Sequence, residues 1–170
     1  MKALIKTAAL NGYQMQILEA VEAVNEKQKS ILFDKVMNRF QGNITGRTFA
    51  IWGLSFKPNT DDMREAPSLV IIEKILRAGG KVKAYDPIAI PETQHVLGNI
   101  IEYSNTEYET LENADALLIV TEWTDFRSPN FNKMKSLLNN PIIFDGRNIY
   151  DGKEMNELGF EYYGIGIKNN

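Results

Sequence analysis

The chain has 170 residues, 44% of them apolar and 24% charged, the balance of an ordinary globular protein long enough for one sizeable core, or a core with an appendage. Its net charge of −3 and lack of a basic stripe argue against a nucleic-acid partner, and no apolar run approaches the roughly 20 residues of a membrane-spanning helix. The absence of cysteine excludes disulfides, thiolate metal sites and a cysteine nucleophile from this polypeptide.

The opening MKALIKTAALNGYQ lacks the long apolar run of a signal peptide, so a cytoplasmic protein without membrane contact is expected. Residues 1–10 read as the end of a helix, closed by Asn11-Gly12. Residues 15–40 then run without Pro or Gly, with Ile17, Leu18, Val21, Val24, Ile31, Leu32, Val36, Met37 and Phe40 spaced mostly by three or four. This spacing predicts one helix about 39 Å long. A helix of that length with apolar residues on more than one side suits a domain connector or a dimerisation element; a helix packed within one core is the alternative.

After the turn GNITG at 42–46 the pattern changes. Strands are expected at 48–52, 81–85, 100–103, 116–120, 142–144 and near 160–163, with helices at 68–78, 106–112 and 130–138 between them. Such alternation implies a parallel sheet. The expected fold is therefore α/β, a Rossmann-like parallel sheet with helices on both faces over residues 43–170, preceded by a long N-terminal helix in a segment 1–42. His95, the single histidine, lies in the polar-flanked stretch PETQHVLGN and is expected at the surface, since a lone imidazole without neighbouring His or Cys makes a poor metal site.

In such a sheet, ligands gather beyond the carboxyl ends of the strands. Polar residues fall at five of those ends: the loop 57–64, Tyr85-Asp86-Pro87, Ser104, Thr121-Glu122-Trp123 and Asp145-Gly146-Arg147. The first is the most informative. GLSFKPNTDDMREAPS at 53–68 occupies the position of the first βα turn, where a plain dinucleotide fold spends a short G-x-G-x-x-G turn. Here a loop of roughly a dozen residues carries Lys57 and Arg64, stiffened by Pro58 and Pro67. Lysine offers a mobile point charge and arginine a planar fork suited to phosphate or carboxylate. The alternative for these two is an internal ion-pair network with Asp61, Asp62 and Glu65, and for Arg147 a pairing with Asp145 or Asp151. Asp86 stands where an acid binds ribose in dinucleotide folds, but a structural role is at least as well motivated without the glycine turn. Trp123 and Phe126 are expected to pack the start of a short helix.

The loop at 53–68, together with AYDP at 84–87, TEW at 121–123 and FDGRN at 144–148, resembles the C-terminal part of the UDP-glucose 6-dehydrogenases of the UDP-glucose/GDP-mannose dehydrogenase family. KALIKTA at 2–8 and EAVEAVNEKQK at 19–29 are similar to the central helical region of that family, so the resemblance covers essentially the whole chain. It implies a piece of an NAD-dependent enzyme that oxidises UDP-glucose to UDP-glucuronate in two hydride transfers, with a cysteine-bound thioester between them, for cell-surface polysaccharide. Residues 43–170 would be the UDP-binding domain and 1–42 the end of the central, dimer-forming region, making a homodimer. By the same resemblance Phe56, Lys57 and Arg147 would contact UDP-glucose or UDP-glucuronate, and Arg64 would face an NAD bound mainly by an N-terminal domain. The catalytic cysteine and the glycine motif of the family are absent from this chain and would lie ahead of Met1, so the chain by itself is expected to be inactive. Two alternatives stand beside this reading, a nucleotide-sugar binding or dimerisation module acting on its own, and a piece of a related UDP-N-acetylmannosamine or GDP-mannose dehydrogenase.

Overall fold

Strand β1 (Thr48–Trp52) directs Phe49 and Ile51 to one face and Ala50 and Trp52 to the other, and all four are fully buried. A strand apolar on both faces belongs in the middle of a covered sheet. In the computed structural model, which describes residues 1–167, β1 lies inside a six-stranded sheet with β2 (Lys81–Tyr85), β3 (Glu102–Tyr103), β4 (Ala116–Ile119), β5 (Ile142–Asp145) and β6 (Glu161–Gly164). The order is β3-β2-β1-β4-β5-β6 and every pairing is parallel. The expected Rossmann-like class is thereby met.

Alternation along the central strands divides the core into two layers. Phe49, Ile51, Leu118 and Phe144 pack under α3 (Ile31–Arg39), α4 (Pro67–Arg77) and α5 (Ile90–Leu97), while Ala50, Trp52, Leu117, Ile119 and Ile143 pack against α6 (Phe131–Leu137) and α7 (Gly152–Glu157). Helix α4 shows how local sequence sets this up. Pro67 at its start has a fixed φ and no N–H to leave unbonded, and Ser68, Ile71, Ile72 and Ile75 recur at helical spacing on its buried face. On the other face Phe126 stacks on Trp52 with ring centroids 5.1 Å apart, inside a 3₁₀ turn Thr124–Phe126.

The helix expected over 15–40 is not continuous. After α1 (Lys2–Leu10) the chain forms α2 (Gln16–Gln28) and then α3, and at the junction the Ser30 amide bonds to the Lys27 carbonyl, a tighter turn than the α ladder. The two halves have different fates: α3 buries Leu32 and Val36 in the sheet core, whereas α1 and α2 bury no residue. One straight rod could not do both. The stretch expected as a helix at 106–112 shrinks to a 3₁₀ turn, Glu109–Leu111, and the strand expected from residue 100 begins at Glu102, leaving Ile100 exposed at the sheet edge. Two helices are additional. Helix α5 has Pro91 in its first turn, where proline is tolerated, and α7 carries one buried apolar residue, Met155, its signal being Asp151, which caps the Lys153 and Glu154 amides at 2.9 and 3.0 Å. Residues 168–170 of the expected 43–170 domain lie outside the described residues.

Candidate functional site

Strand order places a switch point between β1 and β4, the place where open α/β sheets form a crevice at their carboxyl edge. The two loops leaving these strands are held in close contact. Gly53 has φ +89°, and a Cβ there would lie 2.5 Å from Thr121 Cβ and 2.7 Å from the Thr121 amide, so only glycine fits. Thr121 Oγ1 in turn donates to the Ser55 carbonyl at 2.7 Å. Asp86, at the end of β2, completes the fastening. Its Oδ2 accepts from the Leu54 amide at 2.7 Å, the Ser55 amide at 3.2 Å and Trp123 Nε1 at 3.1 Å, and its Oδ1 accepts from the Ile88 and Ala89 amides at 3.0 and 2.8 Å.

Beyond these loops lies a cleft of about 930 Å³. Its sheet side is made by Phe56, Lys57 and Pro58 after β1, Val120 and Glu122 after β4, and Gly146 and Arg147 after β5. Lys57 is exposed, with its ammonium 5.7 Å from the Phe56 ring centre and no ion pair among the described residues. Arg147 is delivered by an Asx-type turn in which Asp145 Oδ1 accepts from the Arg147 amide at 2.9 Å, while Oδ2 accepts from the Ile149 amide at 2.8 Å and the Tyr162 hydroxyl at 2.9 Å. Its guanidinium pairs with neither Asp145 nor Asp151. Nε donates to the Val120 carbonyl at 2.7 Å and lies 3.0 Å from Glu122 Oε2.

The facing side comes from the helical segment. Glu22, Asn25 and Gln28 follow one another three residues apart along α2, Lys29 caps its carboxyl end, and Met1 and Lys2 join them at the cleft. Lys2 Nζ reaches Glu65 at 2.7 Å and Glu26 at 2.9 Å, and Lys29 Nζ reaches Glu65 at 2.5 Å and Glu26 at 3.0 Å. The Lys2 hydrogen bond, followed by that of Lys29, pulls the Glu65 carboxyl down to about 2. Glu22, Glu26 and Glu65 bring carboxylate oxygens within 4.8 Å of one another, but the two ammonium groups already sit among them. The cluster is an ion-pair network tying α1 and α2 to the loop after β1, not a cation site.

Of the five polar strand ends, three reach the cleft. Asp86, Ser104, Thr121, Trp123 and Asp145 are all buried, and those with bonds described above brace the loops. Trp123 packs in the core, as expected of it, and His95 is exposed beside Glu92. Arg64 lies outside the cleft, in a shallow depression with Thr60, Met63, Glu92 and Val96. Its side chain is 89% exposed and grips Asp62 through Nε at 2.9 Å and a terminal nitrogen at 2.8 Å, the internal pairing weighed for it from sequence. That fork draws the Asp62 carboxyl down to about 2. Lys2, Glu22, Asn25, Gln28 and Lys29 are among the cleft residues that the sequence does not single out as ligand-facing. For Glu22, Asn25 and Gln28 the polar face of α2 is the available signal.

Chemically, the cleft is lined by two cationic side chains, Lys57 and Arg147, and by Phe56, and no cysteine or histidine lines it. It does not fit a dinucleotide. The first loop lacks the glycine-rich turn that lets a pyrophosphate approach a helix N-terminus, and Asp86, in the ribose-binding position, has its oxygens committed to the backbone and to Trp123.

Residues 50–152, more than half of the chain, match the model of the UDP-glucose/GDP-mannose dehydrogenase family, UDP binding domain. This chain belongs to that family. It is 48% identical to a UDP-glucose 6-dehydrogenase of Pseudomonas aeruginosa over 97% of its own length, and 43% identical over 98% to the UDP-glucose 6-dehydrogenase YwqF of Bacillus subtilis. The chain spans 38% of the length of each of these relatives. Among solved structures, a UDP-glucose dehydrogenase from Pyrobaculum islandicum superposes with a TM-score of 0.78 at 27% identity, covering 96% of this chain and 35% of that one. Likeness over nearly the whole chain takes in α1 and α2 as well as the sheet, so the family resemblance is not confined to the UDP binding domain. Among the described residues no helix is long and apolar enough to cross a membrane.

Proposed function

We propose that this chain is the UDP-sugar-binding part of an NAD-dependent UDP-glucose 6-dehydrogenase, which converts UDP-glucose to UDP-glucuronate in two successive oxidations for polysaccharide synthesis in the cytoplasm. One observation carries this reading. Lys57 and Arg147, from two strand ends of one sheet, face a 930 Å³ cleft within the region matched by a UDP binding domain, and that volume lies in the range of small-ligand sites. In this reading residues 43–170 are the UDP-binding domain and residues 1–42 the end of the helical region. Lys57 and Arg147 hold the pyrophosphate, Phe56 lies against the nucleotide sugar, and Arg64, facing away from the cleft, meets an NAD held by another domain. NAD supplies the hydride acceptor. What this chain supplies is charge and position, since it has no thiol to form a covalent intermediate.

Titration calorimetry of the 170-residue chain is expected to show saturable binding of UDP, displaced by UDP-glucose, with no NADH formed from UDP-glucose and NAD. A chain that binds no UDP would overturn the reading of the cleft, and NADH above a blank would overturn the assignment of catalysis to residues outside this chain.

The exposed face of α2 supports a homodimer. Ile17 and Val24 are 81% and 57% exposed, and Val21 stands between them on the same face, a stripe of the kind that marks a protein interface. Sedimentation at micromolar concentration is expected to give a dimer that Val24→Asp weakens while the chain stays folded. A strictly monomeric species before substitution would count against it.

A further inference from the structure

We propose that Glu122 is a positioning residue that holds Arg147 in its ligand-facing pose; the inference rests on the reading of the cleft as a UDP-sugar site. The two residues are neighbours by topology. β4 and β5 pair with Ile119 opposite Asp145, so the loops that follow carry Glu122 and Arg147 side by side into the cleft. An arginine has five N–H donors. The single Nε hydrogen goes to the Val120 carbonyl at 2.7 Å, and the terminal nitrogens make no hydrogen bond among the described residues.

Glu122 Oε2 lies 3.0 Å from the same Nε, yet it is buried and accepts no hydrogen bond. The two facts are compatible, because the Nε hydrogen points at the carbonyl and the carboxylate is held by charge alone. A buried carboxylate oxygen without a donor is unfavourable unless a cation lies beside it. The guanidinium is that cation. Carbonyl and carboxylate together fasten its Nε edge, which leaves the fork of terminal nitrogens for a diphosphate, with Lys57 on the same side of the cleft.

Glu122 therefore exerts two opposed effects on an anionic ligand. It orients the arginine, which favours binding, and its own negative charge disfavours binding. With Arg147 in place the first effect dominates; without Arg147 only the second remains. The sign of a Glu122 substitution must then depend on residue 147, which a purely structural role would not produce.

UDP is titrated by calorimetry into the unsubstituted 170-residue chain, Glu122→Gln, Arg147→Ala and the double variant, with the thermal midpoint of each recorded. Glu122→Gln is expected to weaken UDP binding about three- to fivefold, and Glu122→Asp, which keeps the charge, to recover part of the loss. In the Arg147→Ala background the same Glu122→Gln change is expected to tighten binding about twofold. Unchanged or tighter binding by Glu122→Gln in the otherwise unsubstituted chain would overturn the inference, as would an equal weakening in both backgrounds or a Glu122→Gln chain that fails to fold. None of the three touches the reading of the cleft as a UDP site, which rests on binding by the unsubstituted chain. Absence of UDP binding by the unsubstituted chain would instead remove the reading on which the inference rests, and the inference with it.

Discussion

Asp86→Ala is expected to lower the unfolding free energy by about 3 to 5 kcal/mol. The side chain is 2% exposed and joins three segments that are distant in sequence. It accepts from the Leu54 and Ser55 amides after β1, from Ile88 and Ala89 ahead of α5, and from Trp123 Nε1 after β4. Truncation would leave these donors unpaired where little water can replace the lost oxygens, and each buried donor so stranded costs about 1 to 3 kcal/mol. Partial relaxation keeps the total below their sum. Asp86→Asn, which retains one acceptor oxygen, is expected to lose about half as much. Urea unfolding followed by tryptophan fluorescence checks both, and a loss below about 1 kcal/mol for the alanine variant would show that the loops hold together without this residue. The consequence reaches function, because the first of these segments continues into Phe56 and Lys57.

The second large effect concerns the two cations. Lys57→Ala and Arg147→Ala are each expected to weaken UDP binding by roughly one to two orders of magnitude, since a hydrogen bond to a charged group is worth about 1.5 to 3 kcal/mol. Arg147→Ala should have the larger effect. Lys57 is exposed and makes no ion pair among the described residues, so its removal takes away one ligand contact and little else. Removal of Arg147 also strands Glu122 Oε2, a buried carboxylate oxygen, beside the vacated position, and leaves a negative charge facing the diphosphate. Arg64→Ala is expected to leave UDP affinity unchanged because Arg64 lies outside the cleft in its pairing with Asp62, while impairing the use of NAD in the full-length enzyme. Calorimetry for UDP and steady-state kinetics for NAD separate the two sites. Unchanged UDP affinity in both cleft variants would show that these cations only brace their loops.

Both sites illustrate how far local sequence carries and where it stops. The strands at 48–52, 81–85 and 142–144 are legible because short apolar runs bounded by turn residues admit few other conformations. Helix α4 was legible from Ile71, Ile72 and Ile75 behind a proline. Lys57 and Arg147 stood out for a related reason: each follows an apolar strand directly, and the carboxyl ends of parallel strands share one edge of the sheet. The class of fold, the cationic loops and the lack of a thiol were thus determined by the sequence alone.

Tertiary structure decided the rest. Which strand ends share a cleft follows from the order β3-β2-β1-β4-β5-β6, and strand order is set by side-chain packing between segments far apart in sequence. The division of residues 15–40 into α2 and α3 has the same origin, because Leu32 and Val36 must reach the sheet core while Ile17 and Val24 do not. No local periodicity encodes that choice. Glu122 became meaningful only when β5 brought Arg147 beside it, and Lys2 and Lys29 only when Glu65, 63 and 36 residues further along, came within hydrogen-bond reach of both. Hydrophobic spacing is written over a few residues, whereas the pairing of charges is settled by where the core places them.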